Sequence, residues 1–373
     1  MASLDGLANI KPGILAMKSI VHGGKHYIDQ SSSIPTLIDF STSVNPFGPS
    51  PRVKEAIIKG IDAIAEYPDN SARRLRMAAA EYIGVDDGCI VAGNGSSELI
   101  YLIADALIDE GDRVLIVEPT FSEYERASLK NSAVVEHMML NGFTFKDEHL
   151  NMLDGYMHGA KLLFICNPNN PTGLTVERRL LLRLVEEAYN EGVMVVLDEC
   201  FMEFSSIDCS LARYVEEFSN LIVLRSLTKA FGLAGLRIGY CVTNSRLAGI
   251  LADAKVPWSI NALAEVAGVE ALKDIEYVEM CRALLARERD YIHDRVESIG
   301  YSPLRSDVNF LLIKTPEGIN STALRDMLLL KGIIVRDCSN FFGLDDGRYI
   351  RVASRLRDDN ELLIDAMEAV LKR

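Results

Sequence analysis

The order of apolar and polar positions divides this 373-residue chain into an alternating series followed by a helical tail. Short apolar runs recur at 89–92, 114–117, 134–139, 162–166, 193–197, 222–224 and 238–242, separated by stretches with helical spacing. Seven short runs rich in Val, Ile and Leu, with helical patterns between them, predict an α/β fold built on a largely parallel sheet covered on both faces. Beyond residue 242 the pattern is helical to about residue 298. Shorter apolar runs at 310–313, 333–335 and 349–353 then precede an amphipathic helix over 360–371, which reads as a second, smaller α/β domain. The first forty residues are irregular and are expected to pack with it, so the predicted domains are 41–275 and, together, 1–40 with 276–373. Ser50-Pro51 pairs a cap with proline at the first helical position, predicting a helix to about residue 65, closed by Tyr67-Pro68-Asp69.

In parallel sheets, ligands bind in the crevice beyond the carboxyl ends of the strands. The residues after five of the runs suit such a crevice. They are Gly95-Ser96-Ser97 opening a helix, Glu118-Pro119-Thr120-Phe121, the NPNNPTG stretch containing Asn170, Asp198-Glu199, and Arg225-Ser226-Leu227-Thr228-Lys229. The stretch 221–240, LIVLRSLTKAFGLAGLRIGY, carries the most chemistry. Lys229 lies just past a strand end, and Arg237 follows after a loop whose Gly232 and Gly235 are expected to let backbone approach a bound group. A hydroxyl and a guanidinium suit a phosphate, and a buried lysine amine is neutral enough to condense with an aldehyde. Ser226, Lys229 and Arg237 together therefore suit pyridoxal 5'-phosphate.

Composition narrows the class. A net charge of −14 without a basic stripe argues against nucleic acid, and no apolar run approaches the roughly 18 residues of a membrane span. Seven scattered cysteines without C-x-x-C read as buried thiols of a cytoplasmic protein, and the six histidines show no metal-ligand spacing, so no metal is expected.

Asp198 leaves a buried run, where an unpaired carboxylate is costly, so it needs a cation such as a protonated pyridine nitrogen or serves as a helix cap. Asn170 can donate to the ring's phenolic oxygen or simply make a turn, and Phe121 can lie on the ring face or in the core. Ser96 and Ser97 stand at a helix N-terminus suited to phosphate. A dinucleotide-binding reading of the G-x-G at Gly93 and Gly95 lacks its third glycine, because Glu98 stands there, and gives no role to Asp198 or Lys229. His22-Gly23-Gly24-Lys25 reads as a surface turn that could also face an anion.

As a set, Gly95-Ser96-Ser97, Phe121, Asn170, Asp198, Ser226-x-x-Lys229 and Arg237 resemble the motif series of the fold-type I pyridoxal-phosphate enzymes, the aspartate aminotransferase superfamily. The resemblance implies Lys229 as the cofactor's anchor, Asp198 as its nitrogen's partner, and a homodimer in which Tyr67 reaches the neighbouring cofactor's phosphate. Within the superfamily, DFSTSVNPFG, the HGG turn, RSLTK, PWSINA at 257–262 and VRDCSN at 335–340 resemble the L-threonine-O-3-phosphate decarboxylases, with the histidinol-phosphate and aromatic aminotransferases as the alternative. Phe201 agrees with the decarboxylases, because the aminotransferases carry tyrosine at that place. Lys25 departs from their usual asparagine. The resemblance further implies that His22, Gly24, Asn45, Arg336 and Arg351 bind a phosphorylated amino acid.

Overall fold

The computed structural model describes residues 12–17, 23–24 and 37–372. Its strands in chain order are β1 (Ile38–Asp39), β2 (Ile90–Gly93), β3 (Arg113–Glu118), β4 (Val134–Met139), β5 (Ala160–Cys166), β6 (Met194–Asp198), β7 (Leu221–Ser226), β8 (Gly239–Thr243), β9 (Ser302–Pro303), β10 (Phe310–Lys314), β11 (Ile333–Ile334), β12 (Arg336–Asp337) and β13 (Tyr349–Ala353). A seven-stranded sheet runs β2-β8-β7-β6-β5-β3-β4. Five of its strands form the parallel ladder from β7 to β4, and β8 is antiparallel to both β7 and β2. The exception has a local cause. Between β7 and β8 the chain holds only the short turn Ala234–Leu236, and without a crossover helix the next strand returns antiparallel.

The inner parallel strands are buried on both faces because helices cover both, whereas the edge strand β4 is only partly buried. Helix Arg178–Asn190 shows the pattern, turning Leu181, Leu184, Val185 and Ala188 into the sheet at helical spacing. Truncating a fully buried leucine such as Leu184 costs about 2–5 kcal/mol through lost burial and the cavity left behind. Helix Gly95–Leu107 packs the opposite face with Leu99, Ile100 and Ile103.

A second core joins Phe40, Leu311, Ile313, Ile350 and Val352 to the last helix, Arg357–Leu371. It lines the antiparallel sheet β12-β13-β10-β9 and the small parallel pair β1 and β11. Helix Ile275–Ser298 connects the two cores, contributing Val278 and Leu285 to the first and Ile292 and Val296 to the second.

Two sequence expectations change here. The helix expected from residue 51 to 65 is α-helical only over Pro51–Lys59, where the Ser50 hydroxyl accepts the Val53 N–H at 3.3 Å. Gly60 caps it, and Ile61–Ala65 continues as a tighter 3-10 turn. Cys89, counted with the first strand, belongs instead to the turn Asp87–Cys89. All seven cysteines are buried and unpaired. Among the described residues no helix is long and apolar enough to cross a membrane.

Candidate active site

The loops at the carboxyl ends of the parallel strands enclose a cavity of about 650 Å³. Ser96, Ser97, Phe121, Asn170, Asp198, Ser226, Lys229 and Arg237 all line it, together with Arg336 and Arg351 from the antiparallel sheet. Chain alternation on β7 explains part of this selection. Ser226 faces the cavity, whereas Arg225 is buried on the other side between Glu199 and Glu203, 2.7 Å from an oxygen of each.

At one end the helix Gly95–Leu107 begins beside Arg237. Gly95 has φ +81°, and a Cβ there would lie 2.7 Å from an Arg237 Nη, so only glycine leaves the guanidinium its place. Glu98, which stands in place of the dinucleotide motif's third glycine, accepts the Asn94 N–H at 2.5 Å and so helps cap this helix. At the other end Asp198 is 4% exposed and closes β6. Its Oδ1 accepts the Cys200 N–H at 2.9 Å, and its Oδ2 accepts the Tyr124 hydroxyl at 2.6 Å. Tyr124 escaped the sequence reading, since a tyrosine in a helix's first turn gives no local sign of a buried carboxylate above it.

The NPNNPTG stretch is stitched down so that Asn170 faces inward. Asn167 Oδ1 accepts the Val176 N–H at 2.7 Å, and Asn169 donates from Nδ2 to the Pro119 carbonyl at 2.9 Å. Asn170 Oδ1 in turn accepts from Arg351 Nη1, which orients its amide nitrogen away from the arginine. Between the two ends stands Lys229, its ammonium group 5.6 Å from the Phe201 ring centroid. Burial, reinforced by the nearby Arg351 charge, lowers its pKa to about 8, so the amine is substantially neutral near that pH.

Arg336 and Arg351 form the cationic wall opposite. Burial lowers the pKa of Arg351 to about 10 and pulls that of Arg336 down. Arg351 donates from Nη2 to the Ser41 carbonyl at 2.8 Å, and Arg336 donates to Asn340 Oδ1 at 2.7 Å with the Phe341 ring 5.1 Å away. Ser41 also escaped the sequence reading. Its hydroxyl accepts the Gly24 N–H at 2.8 Å and donates to Asp39 at 2.6 Å, tying the glycine turn to the arginine wall.

Three expected positions behave differently, Asn45, Gly232 and Gly235. Asn45 is not among the residues lining the cavity, because its backbone N–H holds the Lys229 carbonyl and its side chain is spent on the Ala230 carbonyl and the Phe47 N–H. It braces the lysine from behind. Gly232 meets the backbone of Gly48 and Pro49, not a bound group, and Gly235 has open space around it. Tyr67 is 85% exposed and absent from this cavity. His22 and Lys25 lie outside the described residues.

The donor set fits pyridoxal phosphate. The helix start, Ser96, Ser97, Ser226 and Arg237 would hold its phosphate, Phe121 its ring face, Asp198 its nitrogen and Lys229 its aldehyde carbon.

The comparisons agree with that class. The family model described as Aminotransferase class I and II matches residues 35–366, and the chain belongs to this family of pyridoxal-phosphate enzymes. A histidinol-phosphate aminotransferase of Symbiobacterium thermophilum is 32% identical over 98% of this chain and 99% of its own. A provisionally named threonine-phosphate decarboxylase of Caldanaerobacter subterraneus is 37% identical over 95% of both chains. Among solved structures, histidinol-phosphate aminotransferase from Clostridium acetobutylicum superposes with TM-score 0.83 at 30% identity, and L-threonine-O-3-phosphate decarboxylase from Porphyromonas gingivalis with 0.78 at 27%. Each covers 90% of this chain and 99% of its own. A Sinorhizobium meliloti histidinol-phosphate aminotransferase in complex with pyridoxal 5'-phosphate, 22% identical, shares the fold at TM-score 0.89 over 99% of both chains.

Proposed function

We propose that the chain decarboxylates L-threonine O-3-phosphate to (R)-1-amino-2-propanol O-2-phosphate, a step of cobalamin synthesis. The alternative is amino transfer from histidinol phosphate or an aromatic amino acid. Most relatives reported above are named histidinol-phosphate aminotransferases, and their number backs that alternative better. The observation that carries the decarboxylase reading is Phe201. It is 5% exposed, packs edge-on against Phe310 at 5.1 Å and is the ring beside Lys229, so no phenol stands where the aminotransferases of the resemblance place one. The 37% identity to the decarboxylase relative, against 31–35% to the aminotransferase relatives, points the same way.

Bound pyridoxal phosphate supplies a sink for the electron pair left at the substrate's α-carbon. Which bond breaks depends on what the chain's residues hold. Arg336 and Arg351 share one wall, and a phosphate dianion recruits both guanidinia more strongly than a carboxylate does. With the arginines engaged by phosphate, the carboxylate is free to stand perpendicular to the ring plane, the orientation that releases carbon dioxide. Lys229, with its pKa near 8, is protonated often enough to return a proton to that carbon once carbon dioxide has left.

We further infer a cytoplasmic homodimer. Seven buried thiols suit a reducing compartment, and exposed Ile58, Ile64, Tyr67, Val256 and Trp258 suit a covering surface. The reaction is tested by supplying 2-oxoglutarate with either histidinol phosphate or threonine phosphate and measuring glutamate. The proposal expects none from either pair, and glutamate formed from histidinol phosphate establishes the alternative.

A further inference from the structure

We propose that Tyr124 is a positioning residue for Asp198, fixing the plane of its carboxylate so that the cofactor's ring nitrogen meets an oriented charge. The inference rests on the cofactor and not on which bond of the substrate breaks. The Asp198 backbone is held by sheet pairing to Cys166 and Leu224, but a carboxylate's terminal torsion is broad, so pairing alone leaves its plane free. Two donors close that freedom, the Cys200 N–H on Oδ1 and the Tyr124 hydroxyl on Oδ2. Each carboxylate oxygen accepts at about two sites, so both donors can remain in place while the ring nitrogen binds.

Tyr124 is itself immobilised. Its side chain is 0% exposed, stacked on Phe164 with centroids 5.0 Å apart and planes 6° from parallel, and met edge-on by Phe121 at 5.7 Å. Thus one side chain supports both the aspartate and the phenylalanine at the cavity wall. Burial and the Asp198 charge push its pKa well up, so the phenol remains a donor at any working pH.

Tyr124→Phe keeps both ring contacts and removes only the O–H. Titrating the apo-protein with pyridoxal phosphate is expected to give a dissociation constant about tenfold higher, the order of one hydrogen bond to a charged group. The gain in Tm on adding cofactor is expected to shrink. The pH midpoint of the lysine-bound cofactor's absorbance is expected to rise, because a ring nitrogen held less firmly in its protonated form withdraws less charge from the lysine nitrogen. In an Asp198→Asn background, Tyr124→Phe is expected to leave the dissociation constant unchanged, since the effect travels through the carboxylate. Unchanged affinity and midpoint in the single variant, with apo and holo Tm lowered equally, would assign Tyr124 to the core and overturn the proposal. So would an equal loss of affinity in the Asp198→Asn background.

Discussion

Arg336 and Arg351 are direct register partners across the antiparallel pair β12 and β13, and both reach the cavity that holds Lys229. Two like charges opposite each other on neighbouring strands are unfavourable. Here each is partly relieved by neutral acceptors, Asn340 and the Asp337 carbonyl for Arg336, Asn170 and the Ser41 carbonyl for Arg351. No carboxylate is paired with either in those bonds, so a dianion is the natural complement of the pair.

Replacing Arg336 by alanine is expected to raise KM for threonine phosphate about 10–100-fold, the worth of a charge-assisted hydrogen bond, with kcat changed less. Steady-state kinetics check this. An unchanged KM would separate Arg336 from substrate phosphate.

The depressed Lys229 pKa sets a pH dependence for cofactor capture. Only the neutral amine attacks an aldehyde, and its fraction grows as pH rises through the folded pKa. The rate at which apo-protein takes up pyridoxal phosphate is therefore expected to climb with pH and level off above about 8. An exposed lysine would place that midpoint near about 10.4. Stopped-flow absorbance at a series of pH values separates the two.

Gly95→Ala is expected to lower stability and to weaken cofactor binding. Alanine at φ +81° is strained by about 1–2 kcal/mol, and its Cβ displaces the Arg237 guanidinium. Cofactor titration is expected to show a dissociation constant raised about tenfold, the worth of one charge-assisted hydrogen bond, while the backbone strain, present with or without cofactor, lowers Tm instead. Wild-type affinity would mean that the phosphate is held elsewhere.

Much of this arrangement is legible in residue order. The apolar runs locate the strands of the large sheet because parallel strands, buried on both faces, need continuous Val, Ile and Leu. The polar residues after them locate the cavity because such sheets open at one end. What stays hidden is long-range. Nothing near Asn45 reveals that Lys229 will lean on it, nor that Tyr124 will meet Asp198, because each partner lies on a distant segment. The two-residue strands β9 and β12 are too short to carry a period. Gly232 shows the opposite failure, a glycine whose close neighbour is the chain itself and not a ligand.

Tyr67, which stacks on Trp258 at 5.2 Å, lies outside its own cavity, and the dimer reading assigns it to the neighbouring one. Tyr67→Ala and Lys229→Ala variants are each expected to be nearly inactive. Mixed under exchange conditions, they are expected to recover activity, since one site of the hybrid carries both residues. Failure to recover, with hybrids confirmed by mass, would place Tyr67 outside the site.

The most direct measurement uses purified holoenzyme and L-threonine O-3-phosphate labelled at its carboxyl carbon, with no keto-acid acceptor present. The account predicts labelled carbon dioxide released in step with substrate consumed, abolished by Lys229→Ala. Substrate that keeps its label, or is consumed only when 2-oxoglutarate is added, would contradict it.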